Sequence, residues 1–422
     1  MNTDKKSILQ KGRGRTRKLA KLEYVYEKNS QYFAQVSESV KELAINEIKN
    51  LGGYGLKSVF RGIWFKSSKE DFYKINYNAR LLSRVLAPLA TFECIEKDDL
   101  YKAARKIRWE EFLTVDQTFS IMANVSESDI THSNFAGLRV KDAIADYFRD
   151  RSNKRPSVDS KDPWITINVH IHQNVATISV DASGGPLHKR GYREESVSAP
   201  MQETIAAAIV ALSEWDGSTP LVDPMCGSGT LLCEALMHYC RIPAQIFRTD
   251  FGFERLPDFD ASLWERIKAT ANENIKPLPE NLIAGSDISQ VSVNAVKTNL
   301  MGLHFGGNIQ IDLMDYKDIP CIENSVIITN PPYGIRMGKE QDMNQFFKEF
   351  GTFLKERCKN CTAYVYFGEP KYIKKVPLSP SWKRPLKIGG LEGKLAKYEL
   401  YGPIDHPIDP WAQRTEIPTE QE

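Results

Sequence analysis

Two short stretches carry side chains suited to chemistry. The first runs Leu221-Val222-Asp223-Pro224-Met225-Cys226-Gly227-Ser228-Gly229-Thr230: an apolar start, an acid, then a turn on two glycines. The second, far downstream, is Asn330-Pro331-Pro332-Tyr333-Gly334. A strand, a glycine loop and a helix N-terminus aim backbone N–H groups at a ligand, as nucleotide sites do. Gly227 and Gly229 remove Cβ atoms where that ligand must approach the backbone. The apolar run 326–329 delivers Asn330 and its prolines to the same edge of the sheet, where ligands of open α/β sheets sit. There the Asn330 side-chain carbonyl and the Pro331 backbone carbonyl can both accept from an amino group, and Tyr333 offers a ring to stack on.

A G-x-G loop alone fits any dinucleotide fold. A nicotinamide site would want a third glycine at 232 and an acid about 20 residues on. Leu232 stands at that position, and the next acid at a strand end is Asp287. Taken together, DPMCGSGT and NPPY resemble the class I S-adenosylmethionine-dependent methyltransferases that modify an exocyclic amine of a base. The resemblance implies S-adenosyl-L-methionine as cofactor and no metal. Backbone N–H groups around Cys226, Gly227, Ser228 and Gly229 would take the cofactor's carboxylate, and Asp223 its ammonium, directly or through water. Asp287, at the end of a strand over 283–286, would accept both ribose hydroxyls. Asp312 or Asp315 follows the third strand, and family spacing favours Asp315 for the adenine amine. Any one of these acids could merely cap a turn; their recurrence after successive strands makes them a set.

An exocyclic amine is a poor nucleophile, because its lone pair is spread into the ring. The sulfonium is already a strong methyl donor, so the protein's task is to hold the nitrogen in line with the methyl carbon. Acceptance by Asn330 and Pro331 localises the lone pair and steadies the charge that develops on nitrogen. Proline fixes φ and keeps the corner stiff. Tyr333 would stack the target base, worth roughly 1–3 kcal/mol, once the base has left its own stack.

The rest of the chain must position these groups. Its 422 residues fit about two to four domains, and 41% hydrophobic content is enough for real cores. The net charge of +2 is unevenly spread: residues 1–22 form a basic arm that includes Lys11, Arg13, Arg15, Arg17 and Lys18. Such an arm either attracts phosphate without reading sequence or is a solvated tail. No run reaches the ~18 apolar residues of a membrane span, and no signal-peptide core is present. Seven cysteines, an odd number, read as reduced thiols of a cytoplasmic protein. Cys358 and Cys361 form one C-x-x-C without the second pair a zinc site needs. His170 and His172 alternate on a predicted strand and so share one face.

Strands and helices alternate over 32–92 in a β-α-β-α-β order that suggests a small split βαβ unit. A helix ending at 150 shows an amphipathic face of Val140, Ile144, Ala145 and Phe148, with Arg139, Lys141 and Arg149 opposite. Two strands joined at Gln173-Asn174 follow as a tight hairpin. The segment from His132 through Lys141-Asp142-Ala143-Ile144 to Arg149 resembles the THUMP domain of RNA-modifying enzymes. Next, Leu187-His188-Lys189-Arg190-Gly191-Tyr192-Arg193 is similar to the joint before the catalytic domain in bacterial ribosomal-RNA guanine-N2 methyltransferases. The match continues into the P-x-x-E-T-x-A-A-A run at 200, where Glu203 and Thr204 are candidates to line the pocket mouth. Four cationic or potentially cationic side chains beside a tyrosine suit phosphate contact and stacking.

The fold class expected is therefore α/β: a Rossmann-like class I methyltransferase domain preceded by α+β ferredoxin-like and THUMP domains. The expected boundaries are a basic arm at 1–22, a ferredoxin-like region at 23–67, THUMP at 68–181, a basic linker at 182–199, the methyltransferase domain at 200–403 and a loose tail at 404–422. RNA-facing residues would be Lys141, Arg149, His188, Lys189, Arg190 and Arg193. The resemblance implies methyl transfer to N2 of guanine in 23S ribosomal RNA. Transfer RNA is the alternative substrate; a DNA adenine-N6 enzyme and a non-catalytic RNA scaffold are weaker ones. Some members carry a second domain for 7-methylguanine; the chain ends before one, so a single activity is expected. No role is legible for the long excursion at 241–281.

Overall fold

The computed structural model describes residues 23–195, 201–332, 343–388 and 391–402, so Tyr333, the basic arm and the tail lie outside the described residues. The N-terminal strands are β1 (Gln31–Gln35), β2 (Tyr54–Val59), β3 (Gly62–Lys66), β4 (Arg84–Glu93), β5 (Thr118–Ser126), β6 (Ser157–Val158), β7 (Ile165–His172) and β8 (Val175–Asp181). They form a single sheet in the order β2-β3-β1-β4-β8-β7-β5-β6. Alternation decides its faces: Tyr32 and Ala34 of β1 enter the core, whereas Phe33 does not. Helices α1 (Val25–Asn29), α2 (Lys41–Asn50), α3 (Lys69–Asn78), α4 (Lys97–Ala104) and α5 (Ser133–Ser152) add Ala44, Ile48, Phe72, Leu100, Val140 and Ile144 to that core.

The ferredoxin-like and THUMP-like halves share hydrogen bonds. β4 pairs with β1 along one edge and with β8 along the other. The β7–β8 hairpin turns at Gln173-Asn174, with φ of 49° and 60°, the left-handed pair that a type I′ turn requires. Within the expected 32–92 alternation, β2 and β3 form a hairpin reversing at Phe60-Arg61, which adds a strand to the β-α-β-α-β order. Its outer arm, β2, is an exposed edge without apolar alternation, so it left no periodic signal.

The second unit contains α6 (Glu203–Leu212), β9 (Leu221–Asp223), α7 (Thr230–Cys240), α8 (Ala261–Glu273), β10 (Ile283–Asp287), α9 (Gln290–Met301) and β11 (Gln310–Leu313). After these come β12 (Ile322–Glu323), β13 (Val326–Thr329), α10 (Met343–Arg357), β14 (Cys358–Lys359), β15 (Cys361–Phe367), β16 (Trp382–Ile388) and β17 (Leu391–Leu400). Seven strands make its main sheet, in the order β11-β10-β9-β13-β15-β17-β16, and β12 pairs with β14 alone. The first five are parallel, and β16 and β17 close the edge antiparallel. The chain runs outward from β9 through β10 and β11, then returns to β13 on the other side of β9. The switch point therefore lies between β9 and β13, where a crevice opens for a ligand.

The excursion at 241–281 joins the two units. Phe251, Phe253, Phe259 and Trp264 pack on Tyr73 and Tyr77 of α3, with ring centroids 4.6 Å apart for Tyr73–Phe253 and 5.3 Å for Tyr77–Trp264. The Tyr26 hydroxyl donates to Asp258 Oδ1 at 3.1 Å, Lys69 pairs with Asp258 at 3.0 Å, and the Tyr77 hydroxyl donates to Asn272 Oδ1 at 3.1 Å. Aromatic bodies supply the buried area while their hydroxyls find polar partners.

Candidate active site

Asp223 ends β9 at the switch point and is 1% exposed. Its Oδ1 accepts from the Met225 N–H at 3.1 Å. Burial pushes its carboxyl up to about 7, and the nearby Asp287 adds to the rise. No cation pairs with it among the described residues. A buried acid of this kind is costly in its charged form and would be relieved by an incoming ammonium.

The turn that follows is held from both sides. The Cys226 N–H donates to the Ser286 carbonyl of β10 at 2.9 Å, and the Gly229 N–H to the Cys226 carbonyl at 2.9 Å. With the Gly227 N–H held by Asp287, three of the four N–H groups expected to take a carboxylate instead fix the turn. The two glycines serve different ends. At Gly229, φ is 80° and a Cβ would fall 2.2 Å from Val296 Cγ2, so its absence lets α9 pack against the loop. At Gly227, φ is 55° and a Cβ would point into open space. That space borders the start of α7, whose first N–H groups have no partner within the helix.

Asp287 closes the loop onto β10. Its Oδ2 accepts from the Gly227 N–H at 2.9 Å and its Oδ1 from the Ser289 N–H at 2.9 Å. Each oxygen keeps a further lone pair for a hydroxyl. Ile288, the next residue, is 70% exposed. An uncovered isoleucine beside this acid suits the face of a flat ring; the sequence signal for it was an apolar residue directly after a strand-end acid. Asp315 sits half-buried after β11, where its side chain accepts from the Lys317 N–H at 3.0 Å. The expected adenosine-side acids thus lie after adjacent parallel strands.

Asn330 and Pro331 follow β13, which pairs directly with β9. Pro331 is buried, and the Asn330 Oδ1 is buried with no hydrogen-bond partner among the described residues. Leaving such an acceptor unpaired costs about 1–3 kcal/mol, so it is either strained for a purpose or completed by a ligand.

The linker cations behave otherwise than expected. Arg190 is 1% exposed: its Nε donates to Glu234 Oε1 at 3.2 Å, its Nη1 to the Leu187 carbonyl at 2.6 Å, and its Nη2 to the Arg80 carbonyl. Tyr192 donates to the same Glu234 oxygen at 3.3 Å. Glu234 lies on α7, directly after the glycine loop, so this buried group ties the linker to the loop's helix and replaces the RNA contact assigned to Arg190. Arg193 is corrected in the same way. It pairs with Glu203 at 2.9 Å and donates to Thr230 Oγ1 at 3.1 Å and the Met201 carbonyl at 3.0 Å. Burial raises the Glu203 carboxyl, and Arg193 opposes that rise. His188 is half-buried, its imidazole pushed down by burial and by neighbouring cations. Lys189 is exposed and without an ion pair among the described residues.

Asn299 of α9 adds a further clasp. Its Oδ1 accepts from the Glu194 and Glu195 N–H groups at 2.9 and 3.0 Å, and its Nδ2 donates to the Glu195 and Ser228 carbonyls at 2.9 and 3.0 Å. One amide therefore holds the linker's end against the loop. On α5, Lys141 and Arg149 line a surface groove of about 800 Å³ with Arg139 and Arg155. Three of these cations have acids beside them: Arg139–Asp98 at 2.6 Å, Lys141–Asp142 at 3.5 Å and Arg149–Asp146 at 2.6 Å.

Comparison with known proteins agrees with this geometry. Residues 190–396 match the RMKL-like methyltransferase domain and residues 95–181 the THUMP domain. A Synechocystis protein named "Putative RNA methyltransferase slr0064" is 38% identical over 88% of this chain and 97% of its own length. The chain belongs to the THUMP-containing class I RNA methyltransferases. The ribosomal RNA large subunit methyltransferase K/L of Syntrophotalea carbinolica is 33% identical over 88% of this chain, which spans 53% of that longer protein. Among solved structures, "SMU.472, a putative methyltransferase complexed with SAH" superposes with a TM-score of 0.76 at 26% identity, covering 88% of this methyltransferase and 98% of that chain. No helix among the described residues is long and apolar enough to cross a membrane.

Proposed function

We propose that this methyltransferase moves the methyl group of S-adenosylmethionine to the exocyclic N2 of a guanine in RNA, with 23S ribosomal RNA as substrate. The names carried by its relatives support the RNA, and the buried Asn330 Oδ1, without a partner among the described residues and at the end of the strand beside β9, supports the amine.

The residues present fit the cofactor. The open space at Gly227 and the free N–H groups at the start of α7 suit its carboxylate, Asp223 its ammonium, and Asp287 its ribose. Asp315 and Ile288 suit the adenine edge and face. When bound, the cofactor supplies an electrophilic methyl group on a sulfonium that departs as a neutral thioether. Asn330 Oδ1 and the Pro331 carbonyl accept the two amine hydrogens and point the nitrogen lone pair at that carbon. Those two contacts would hold the nitrogen while it takes the methyl group and the thioether leaves. The acidic ammonium-like product then gives one proton to water, so no dedicated base is needed. Tyr333 is assigned to stacking the extruded base, and Lys189, Lys141 and Arg149 to the RNA backbone.

Nucleoside mass spectrometry of ribosomal and transfer RNA, from a deletion strain and after treatment with purified protein, tests this reading. The expected mark is N2-methylguanosine in 23S RNA; a mark on a ring nitrogen or a ribose, or no affinity for the cofactor, overturns it. Asn330→Ala should lower turnover by about a hundredfold or more with cofactor affinity unchanged by calorimetry. Equal loss of both would contradict the role given to Asn330.

A further inference from the structure

The open face of the eight-stranded sheet lies outside everything assigned above. A groove of about 1170 Å³ crosses it, with the first turn of α6 and β16 as walls. Register places Trp64, Phe33, Thr177, His170 and Asn168 on one face: Trp64 opposes Phe33, His170 opposes Thr177 and Asn168 opposes Ser179. Phe33 and His170 are separated by β4 and β8, so their strands are about 14 Å apart at the usual spacing. Their ring centroids are nonetheless 6.5 Å apart, with planes 19° from parallel. The side chains lean together over a floor of Thr91 and Thr177, whose hydroxyls are 3.2 Å apart. Trp64 extends the row at one end, 5.0 Å from Phe33, and His172 at the other, 6.3 Å from His170. Gly62 makes room for it, since a Cβ there would fall 2.1 Å from Phe33 Cζ.

Asn168 also lines the groove. It is 2% exposed, and both its Oδ1 and its Nδ2 lack a partner among the described residues. A buried amide with its donor and acceptor both unused matches the edge of a nucleobase, directly or through one water. Two cations stand at the rim. Arg61 has no ion pair among the described residues, and Lys387 pairs with the exposed Glu392. The acid on the rim, Glu38, is neutralised by Lys41 at 2.6 Å. The groove also leads to the chemistry: Gln202 and Thr204 line it, while Glu203 between them holds Arg193, which bonds Thr230 beside the glycine loop.

We propose that this groove holds unpaired nucleotides of the RNA substrate, with bases stacked along Trp64, Phe33, His170 and His172 and one base edge read by Asn168. The inference rests on the RNA reading above and adds a second contact surface to it. Rings that accept any base face, with cations for the backbone, are the means by which proteins hold single strands. The target nucleotide would then be presented beside a single-stranded segment fixed on the same side of α6.

The test uses the full chain and short single-stranded oligoribonucleotides carrying 5-iodouridine. Photocrosslinks should map to the peptides bearing Phe33, Trp64, His170 or His172. Phe33→Leu and His170→Gln, which keep volume, should each weaken oligonucleotide binding about tenfold and lower kcat/KM on RNA. Cofactor affinity and melting temperature should stay unchanged. Crosslinks confined to the α5 groove, or parental RNA affinity in both variants, overturn the proposal and leave the methylation reading standing. Crosslinks in this groove from a protein that modifies no RNA sustain the binding site and sink the methylation reading. Retention of a peptide with oligoribonucleotides excluded also overturns it.

Discussion

Arg190 and Arg139 come from stretches that look alike, each a cluster of cations beside a tyrosine. One turns inward and the other outward. Arg190 and its partner Glu234 are both 0% exposed at the side chain, and two carbonyls complete the guanidinium. Arg139 pairs with Asp98, whose side chain is 63% exposed, and lies 4.9 Å over the Tyr101 ring at a groove edge. The difference lies in what reaches each cation. Arg190 meets a helix that begins at the glycine loop, whereas Arg139, 26% exposed at its side chain, meets an acid and a ring at the surface. The inward arginine fixes where the loop sits relative to the N-terminal unit. The outward ones line the α5 groove proposed above as an RNA surface.

The sharpest way to break this comparison is to remove one buried partner. Arg190→Ala should cost about 3 kcal/mol, because it removes the nearer of two guanidinium groups from the buried Glu234 and leaves only Arg80, 3.9 Å away. Arg190→Met with Glu234→Leu should recover part of that: an apolar pair of similar volume is often tolerated, and Arg80, which loses Glu234, keeps its bonds to the Met237 and Ile242 carbonyls. Denaturant titration of the two proteins checks both; a loss below 1 kcal/mol in the single variant would mean the pair is not holding the joint.

An effect of comparable size, but tied to pH, comes from the interior acid that pairs with no cation among the described residues. Asp223 is raised by burial from its ordinary value of 3.8 to about 7. The folded protein thus holds a proton there that the unfolded chain has lost. This contribution to stability is full below 3.8 and disappears as pH rises through 7. Melting without cofactor should fall across that window, and Asp223→Asn should flatten the fall. Cofactor binding near pH 7 should release a proton, seen in calorimetry as a heat that depends on the buffer. Buffer-independent heat would show that Asp223 is already ionised.

The outward cations should show the smallest effect on folding. Arg149→Ala, and likewise Lys141→Ala, should change stability by less than about 0.5 kcal/mol. Each should reduce the slope of log affinity for RNA against log salt by about one. An unchanged slope would remove α5 from the RNA surface.

What could be read in advance follows the same division. Gly227, Gly229, Asp223, Asp287 and the Asn330 corner were legible because parallel strands deliver their C-terminal residues to one edge. Each motif needed only its own neighbours to be understood. The tight turn at Gln173-Asn174 was legible for the same local reason. Arg190 was not, because its direction depends on Glu234, 44 residues away on another helix. The excursion at 241–281 was opaque because its aromatics match rings on α3, which only the folded chain brings near. The open sheet face left a hint in the alternation of His170 and His172, but Phe33 and Trp64 join them only across intervening strands.

The strand shared by the two N-terminal halves also limits how this protein can be divided. Residues 95–181, cut out along the lines of similarity, would carry β8 away from β4 and lose the ladder from Leu86↔Asp181 to Glu93↔Val175. The excised fragment would present a bare row of amides and carbonyls, an invitation to self-association. A fragment meant to report RNA affinity by itself would need to begin before Gln31, so that both neighbours of β4 travel with it.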